Sequence, residues 1–145
     1  MTNLVLELRA GDLMVINGAP IRFRTKARIE LASRARFLFG KQIMSVEQAN
    51  SPARRIYFML QTAYLGEAEE APPRLAIARE LTVEYQAATT SLMAREILDR
   101  AMRAAEMGDY YRALKLLKRI IRHEDSVLHP ENRLELDTDD PSETP

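Results

Sequence analysis

The hydrophobic period of this chain changes once along its length, and that change limits the possible folds more than any other feature. Over the first forty residues apolar side chains recur at every second position, the spacing that puts them on one face of an extended strand. Leu4, Leu6 and Leu8 alternate with Asn3, Val5 and Glu7; Met14 and Ile16 precede Asn17-Gly18; Ile21 and Phe23 then alternate with Arg22 and Arg24. Asn-Gly between alternating runs predicts a two-residue hairpin, because both central residues of a type I′ turn need positive φ. Further strands are predicted over residues 28–33, with Ile29 and Leu31 inward, and over residues 36–39, with Phe37 and Phe39 on one face. The expected result is an antiparallel β-meander of about five strands with one apolar face.

From residue 45 the spacing is helical. Ser45 with Glu47 and Gln48 predicts a helix start with a capping box, and Ser51-Pro52 predicts a second start with Ser as cap and Pro in the first turn. Ala53, Ile56, Tyr57, Leu60, Ala63 and Tyr64 then recur at intervals of three and four up to Gly66, with Arg54, Arg55 and Gln61 outside that stripe. Pro72-Pro73 can open a helix through about Ala88, Ser91 can cap another that stops at Gly108, and Asp109 can cap a last one. The buried face of that last helix is expected to hold Tyr110, Ala113, Leu114, Leu117, Ile120, Ile121 and Leu128. Beyond it, residues 131–145 carry six acids and one Arg with little to bury, which predicts disorder. The chain thus reads as an α+β protein: a β-meander over residues 1–44, three or four helices over residues 45–130 packed with it, and an acidic tail.

Charge follows the same boundary. The formal net charge is zero, yet residues 1–55 hold ten Lys/Arg and four Asp/Glu, against eleven and seventeen in residues 56–145. Arg22, Arg24, Lys26, Arg28, Arg34, Arg36 and Lys41 fall within twenty positions that contain a single acid, Glu30. Such a basic module points to a polyanionic partner, since cations on a solvent-facing sheet can follow a phosphate backbone and release its condensed counterions. The same residues also fit a solvated face in which Arg provides solubility and edge protection. Phe23, Phe37 and Phe39 belong to the core pattern, so base stacking is not part of this reading. A second basic stripe, Arg112, Lys115, Arg119 and Arg122, runs along the last helix opposite its apolar face.

Catalytic patterns are missing. The two histidines, His123 and His129, are six residues apart, about 240° around a helix, and cannot chelate one ion from one face. The five glycines are isolated, which excludes a phosphate-binding loop, and no serine stands in a nucleophile elbow. Without cysteine there is neither a disulfide framework nor a thiolate metal site. No cofactor or metal is expected, and an enzyme is not. The longest strictly apolar run covers residues 56–60, too short for a membrane span, and Glu7, Arg9 and Asp12 break any signal-like stretch, so a soluble cytoplasmic protein is expected.

Four segments carry a family resemblance. Leu6-Glu7-Leu8-Arg9-Ala10-Gly11-Asp12, Ile16-Asn17-Gly18-Ala19, Asn50-Ser51-Pro52-Ala53-Arg54-Arg55-Ile56-Tyr57-Phe58 and Gly108-Asp109-Tyr110-Tyr111-Arg112-Ala113-Leu114-Lys115 resemble the FlbT family of flagellin regulators, in the right order over roughly residues 3–128. The resemblance implies a bacterial post-transcriptional repressor of flagellum biogenesis that binds the 5′ untranslated region of a flagellin message and promotes its decay, opposite a companion, FlaF. The opening stretch, residues 4–24, is also similar to the small RNA-binding regulator CsrA, which would place residues 4–9 and the segment around Lys41 at an RNA-facing edge. On this reading Arg22, Arg24, Lys26, Arg28, Arg34, Arg36 and Lys41 hold the leader, and Arg54, Arg55, Tyr111 and Arg112 are candidates for a protein partner. The alternative is a module that binds flagellin or an export component through the helices; either function is compatible with a homo-oligomer.

Overall fold

A computed structural model describes residues 4–32 and 35–128. Five strands form in the first part: β1 Leu4–Leu8, β2 Leu13–Ile16, β3 Ala19–Arg22, β4 Ala27–Leu31 and β5 Phe37–Phe39. The turn between β2 and β3 is Asn17-Gly18, with φ of 47° and 83°, the backbone that this dipeptide accommodates at least cost.

The pairing order departs from a meander. β1 pairs with β4, while β3, β2 and β5 form a separate three-stranded sheet, every pair antiparallel. Leu6 and Leu8 of the first sheet pack with Met14 of the second, and Ile16, Ile29, Phe37 and Phe39 close around them. A single five-stranded sheet would need another element to cover this apolar face, whereas two small sheets cover each other. The period of two in β5 sends Phe37 and Phe39 into that cluster and Leu38 to the opposite side, where it joins the core of the helices. The three-stranded sheet is therefore the middle layer of three.

Four helices follow: α1 Pro52–Leu65, α2 Ala71–Ala88, α3 Leu92–Glu106 and α4 Tyr110–Leu128. Ser51 caps α1 by accepting from Arg54 N, and Ser91 caps α3 by accepting from Ala94 N at 3.0 Å. Gly108, at φ 87°, ends α3, with its own N–H on Ala105 O and that of Asp109 on Ala104 O. α1 packs against α2 and α4, and α3 packs against α4, around Ile56, Tyr57, Leu60, Leu98, Leu117 and Ile120.

Three details differ from the sequence reading. Ser45 and Gln48 do make the reciprocal capping bonds, Ser45 N to Gln48 Oε1 at 2.8 Å and Gln48 N to Ser45 Oγ at 3.3 Å, but only a turn forms. Pro52 keeps Ser51 extended, at φ −145°, so a helix begun at Ser45 cannot run into α1. Gln61, expected outside the stripe, is buried, because its side-chain amide pairs with both Met44 N and Met44 O at 2.8 Å and so satisfies the link between strands and helices. Leu128, expected in the core, is 58% exposed at the end of α4. The acidic tail, His129 and Arg34 lie outside the described residues.

Candidate nucleic-acid interface

The strand register gathers the loops. β1 ends at Leu8 opposite Ala27, and β3 ends at Arg22 opposite Leu13, so the loop 9–12 and the loop 23–26 meet at one end of the strand layers. Gly11 N donates to Phe23 O at 2.6 Å and Phe23 N to Asp12 O at 2.9 Å, which ties the two loops together. β5 leaves at the same end, because Phe39 pairs with Met14, and carries Lys41 there in the short turn Gly40–Gln42. Arg9, Arg22, Arg24, Lys26 and Lys41 are all exposed on this end.

These cations remain available to a ligand. Arg24 and Lys26 make no ion pair among the described residues, and Arg22 uses one nitrogen to donate to Gly11 O at 3.0 Å. The carboxylate in their midst, Asp12, is turned to the backbone and accepts from Arg9 N at 2.8 Å. Lys118 of α4 donates to Lys41 O at 3.0 Å, so the cationic end abuts the basic side of the last helix. Arg9 is outside the cation cluster read from the sequence but within residues 4–9, which the likeness to CsrA places at an RNA-facing edge; the register of Leu8 with Ala27 puts it beside Lys26.

Other expected contacts go elsewhere. Arg28 lies on the outer face of β4 opposite Glu7, with Glu30 two residues on, so that face is of mixed charge and does not extend the cationic end. Arg36 caps α1: its Nη1 donates to Tyr64 O at 3.2 Å and Gly66 O at 2.8 Å, where helix carbonyls lack partners. It sits at the opposite end of the layers, beside the Asn17 turn, with Asn17 N on Arg36 O at 2.7 Å.

The residues expected to meet a protein partner also divide. Arg54 is consumed within the chain, with two hydrogen bonds of 2.8 Å to the two oxygens of Asp125, which hold its guanidinium pKa above the ordinary value. Beside it the buried Glu124 accepts from Ser51 Oγ and, at 3.0 Å, from Ala53 N, placing a carboxylate on the positive end of α1. Tyr111 is half-buried between strands and helices: its ring centroid is 6.0 Å from that of Phe37, its hydroxyl accepts from Gln42 Nε2 at 2.9 Å, and burial raises its pKa. Only Arg55 and Arg112 of that set are exposed.

A model of the family described as flagellar protein FlbT matches residues 4–128 of the chain. The chain belongs to the FlbT family. It is 32% identical over 138 residues to the probable flagellum biosynthesis repressor protein FlbT of Caulobacter sp. (strain K31), covering 86% of this chain and 95% of that one. Against the probable flagellum biosynthesis repressor protein FlbT 2 of Bradyrhizobium diazoefficiens the identity is 30% over 127 residues, 85% and 90% of the two chains. The flagellum biosynthesis repressor protein FlbT of Caulobacter vibrioides is 32% identical over 138 residues, 86% and 89% of the two chains. No solved structure matches the chain. Among the described residues of this FlbT-family chain, no helix is long and apolar enough to cross a membrane, and no group of three or more His, Asp or Glu is placed to hold a metal ion.

Proposed function

We propose that the chain represses flagellum synthesis by binding the 5′ untranslated leader of a flagellin message through the cationic end of its strand layers. The observation that carries this reading is the meeting of the 9–12 and 23–26 loops, which exposes Arg9, Arg22, Arg24 and Lys26 together, with Lys41 at the same end and no ion pair made by Arg24 or Lys26 among the described residues. Membership of a family whose relatives carry the name flagellum biosynthesis repressor supports the biological direction.

The recognition is by charge and backbone. Guanidinium and ammonium groups on two tied loops can each replace a counterion of the RNA, and the Arg side chains offer bidentate geometry to phosphate oxygens. Because the loops are fixed by backbone hydrogen bonds, little ordering is left to be done on binding. The protein contributes no bond-making step; occupancy of the leader blocks ribosome access or opens the message to a nuclease.

A gel-shift titration of Arg22→Glu/Arg24→Glu against the leader over a range of salt tests the reading. Contacts by about five cations predict a log–log salt slope near −3.5 for single-stranded RNA, shallower by about 1.5 in the variant, and a large loss of affinity. Affinity and slope equal to wild type would remove this end of the molecule from the interface.

A further inference from the structure

We infer that the chain forms a two-fold dimer through the open end of its helical bundle. A groove of about 600 Å³ lies there between α1, α2 and α4, with Leu81, Tyr85, Val127 and Leu128 among its lining residues. Val127 is 60% and Leu128 58% exposed, and α3, antiparallel to α4, begins at this end with Leu92 at 76% and Met93 at 68%. Four exposed apolar side chains thus share this end of the bundle in an isolated chain, and two of them, Val127 and Leu128, line a groove in which they could be buried.

The rim charges select the occupant. Arg55 on α1 and Glu84 on α2 both line the groove and are exposed, and neither side chain makes an ion pair or hydrogen bond among the described residues. An unrelated partner would have to complement each charge separately. A second copy supplies both at once, because in a two-fold interface the contact of one residue with another is repeated with the subunits exchanged, so each Arg55 meets Glu84 of the partner subunit. The zero net charge of the chain adds no long-range repulsion between copies. This inference stands independently of the RNA reading, since none of these residues belongs to the cationic end.

Light scattering after size exclusion, over a wide concentration series of the full chain, reads the outcome. The wild type is expected at twice the chain mass. Val127→Glu/Leu128→Glu is expected at the chain mass with unchanged far-ultraviolet circular dichroism, since both positions are exposed. Arg55→Glu should weaken the dimer about tenfold, and adding Glu84→Arg should restore it. Deleting residues 129–145 should leave the dimer intact. A wild type at the chain mass at every concentration, a dimer that survives Val127→Glu/Leu128→Glu, a failed rescue by Glu84→Arg, or loss of the dimer on deleting the tail would each overturn the assignment.

Discussion

In the helical bundle Arg54 is held by Asp125, Arg74 by Glu70, Arg79 by Glu106 and Arg100 by Glu96. In the strand layers Arg24, Lys26 and Arg28 have no such partner among the described residues, and Arg36 is used on helix carbonyls. Residues 1–50 hold eight Lys/Arg and residues 51–128 twelve, and the two regions treat them differently. Helical spacing of three and four brings opposite charges together within one element or between packed neighbours, whereas the loops at a sheet end project theirs into water. The number of cations in a segment is therefore a poor measure of what a ligand can reach; the number left unpaired after folding is the relevant one.

The cores differ as well. The helices bury most of the large side chains, while the strand cluster has only Leu6, Leu8 and Met14 fully enclosed. The largest predicted effect follows: Leu117→Ala should cost about 2–5 kcal/mol in urea denaturation, because the side chain is 0% exposed at the centre of the bundle. A loss below about 1 kcal/mol would mean that the helices do not dominate the stability. Next, Glu124→Ala should cost about 1–3 kcal/mol by the same measurement, since it strips Ser51 Oγ and Ala53 N of their acceptor inside the fold.

Arg36 and Arg24 provide the sharpest test of the comparison between regions. Arg36→Ala should lower stability by about 1 kcal/mol by removing the cap on α1 and leave leader binding nearly unchanged. Arg24→Ala should do the reverse, leaving stability within about 0.5 kcal/mol and weakening binding. Equal behaviour of the two variants would mean that structural and available cations are not distinct in this fold.

The tyrosines give a smaller, pH-dependent signal. Burial raises the pKa of Tyr57, Tyr64, Tyr110 and Tyr111, and that of Tyr85 to about 12, with Glu124 adding to the rise at Tyr85. A phenol whose folded pKa lies above its unfolded value of 10.0 favours the folded state fully below pH 10 and loses that contribution as pH rises towards 12. Thermal stability should accordingly be insensitive to these groups below pH 10 and fall above it, in step with the phenolate absorbance. A phenolate signal complete near pH 10 with no loss of stability would show that these rings are solvated.

Much of the architecture is legible in the sequence because it depends on neighbours. The Asn17-Gly18 turn, the Ser51 and Ser91 caps and the Gly108 stop each rest on interactions within a few residues, and each forms where the local pattern puts it. The candidate interface is only partly legible. Arg22, Arg24, Lys26 and Lys41 reach one end as a group and strand register sets Arg9 beside them, but Arg28 lies on the outer face of β4 and Arg36 is taken by a distant helix end. The capping box at Ser45 shows a local signal fully satisfied and still overruled, because the proline seven residues later forbids continuation.

By itself the sequence determined the type of nearly every element, since period, turn chemistry and capping act over one to four positions. Only the tertiary structure decided the division of the strands into two sheets, the burial of Gln61 and Glu124 and the fate of each cation. Those outcomes rest on contacts such as Arg54 with Asp125 and Lys118 with Lys41, which are 71 and 77 residues apart. Such pairs are formed by burying apolar surface across the whole fold, and no local pattern records which charge will be carried next to which.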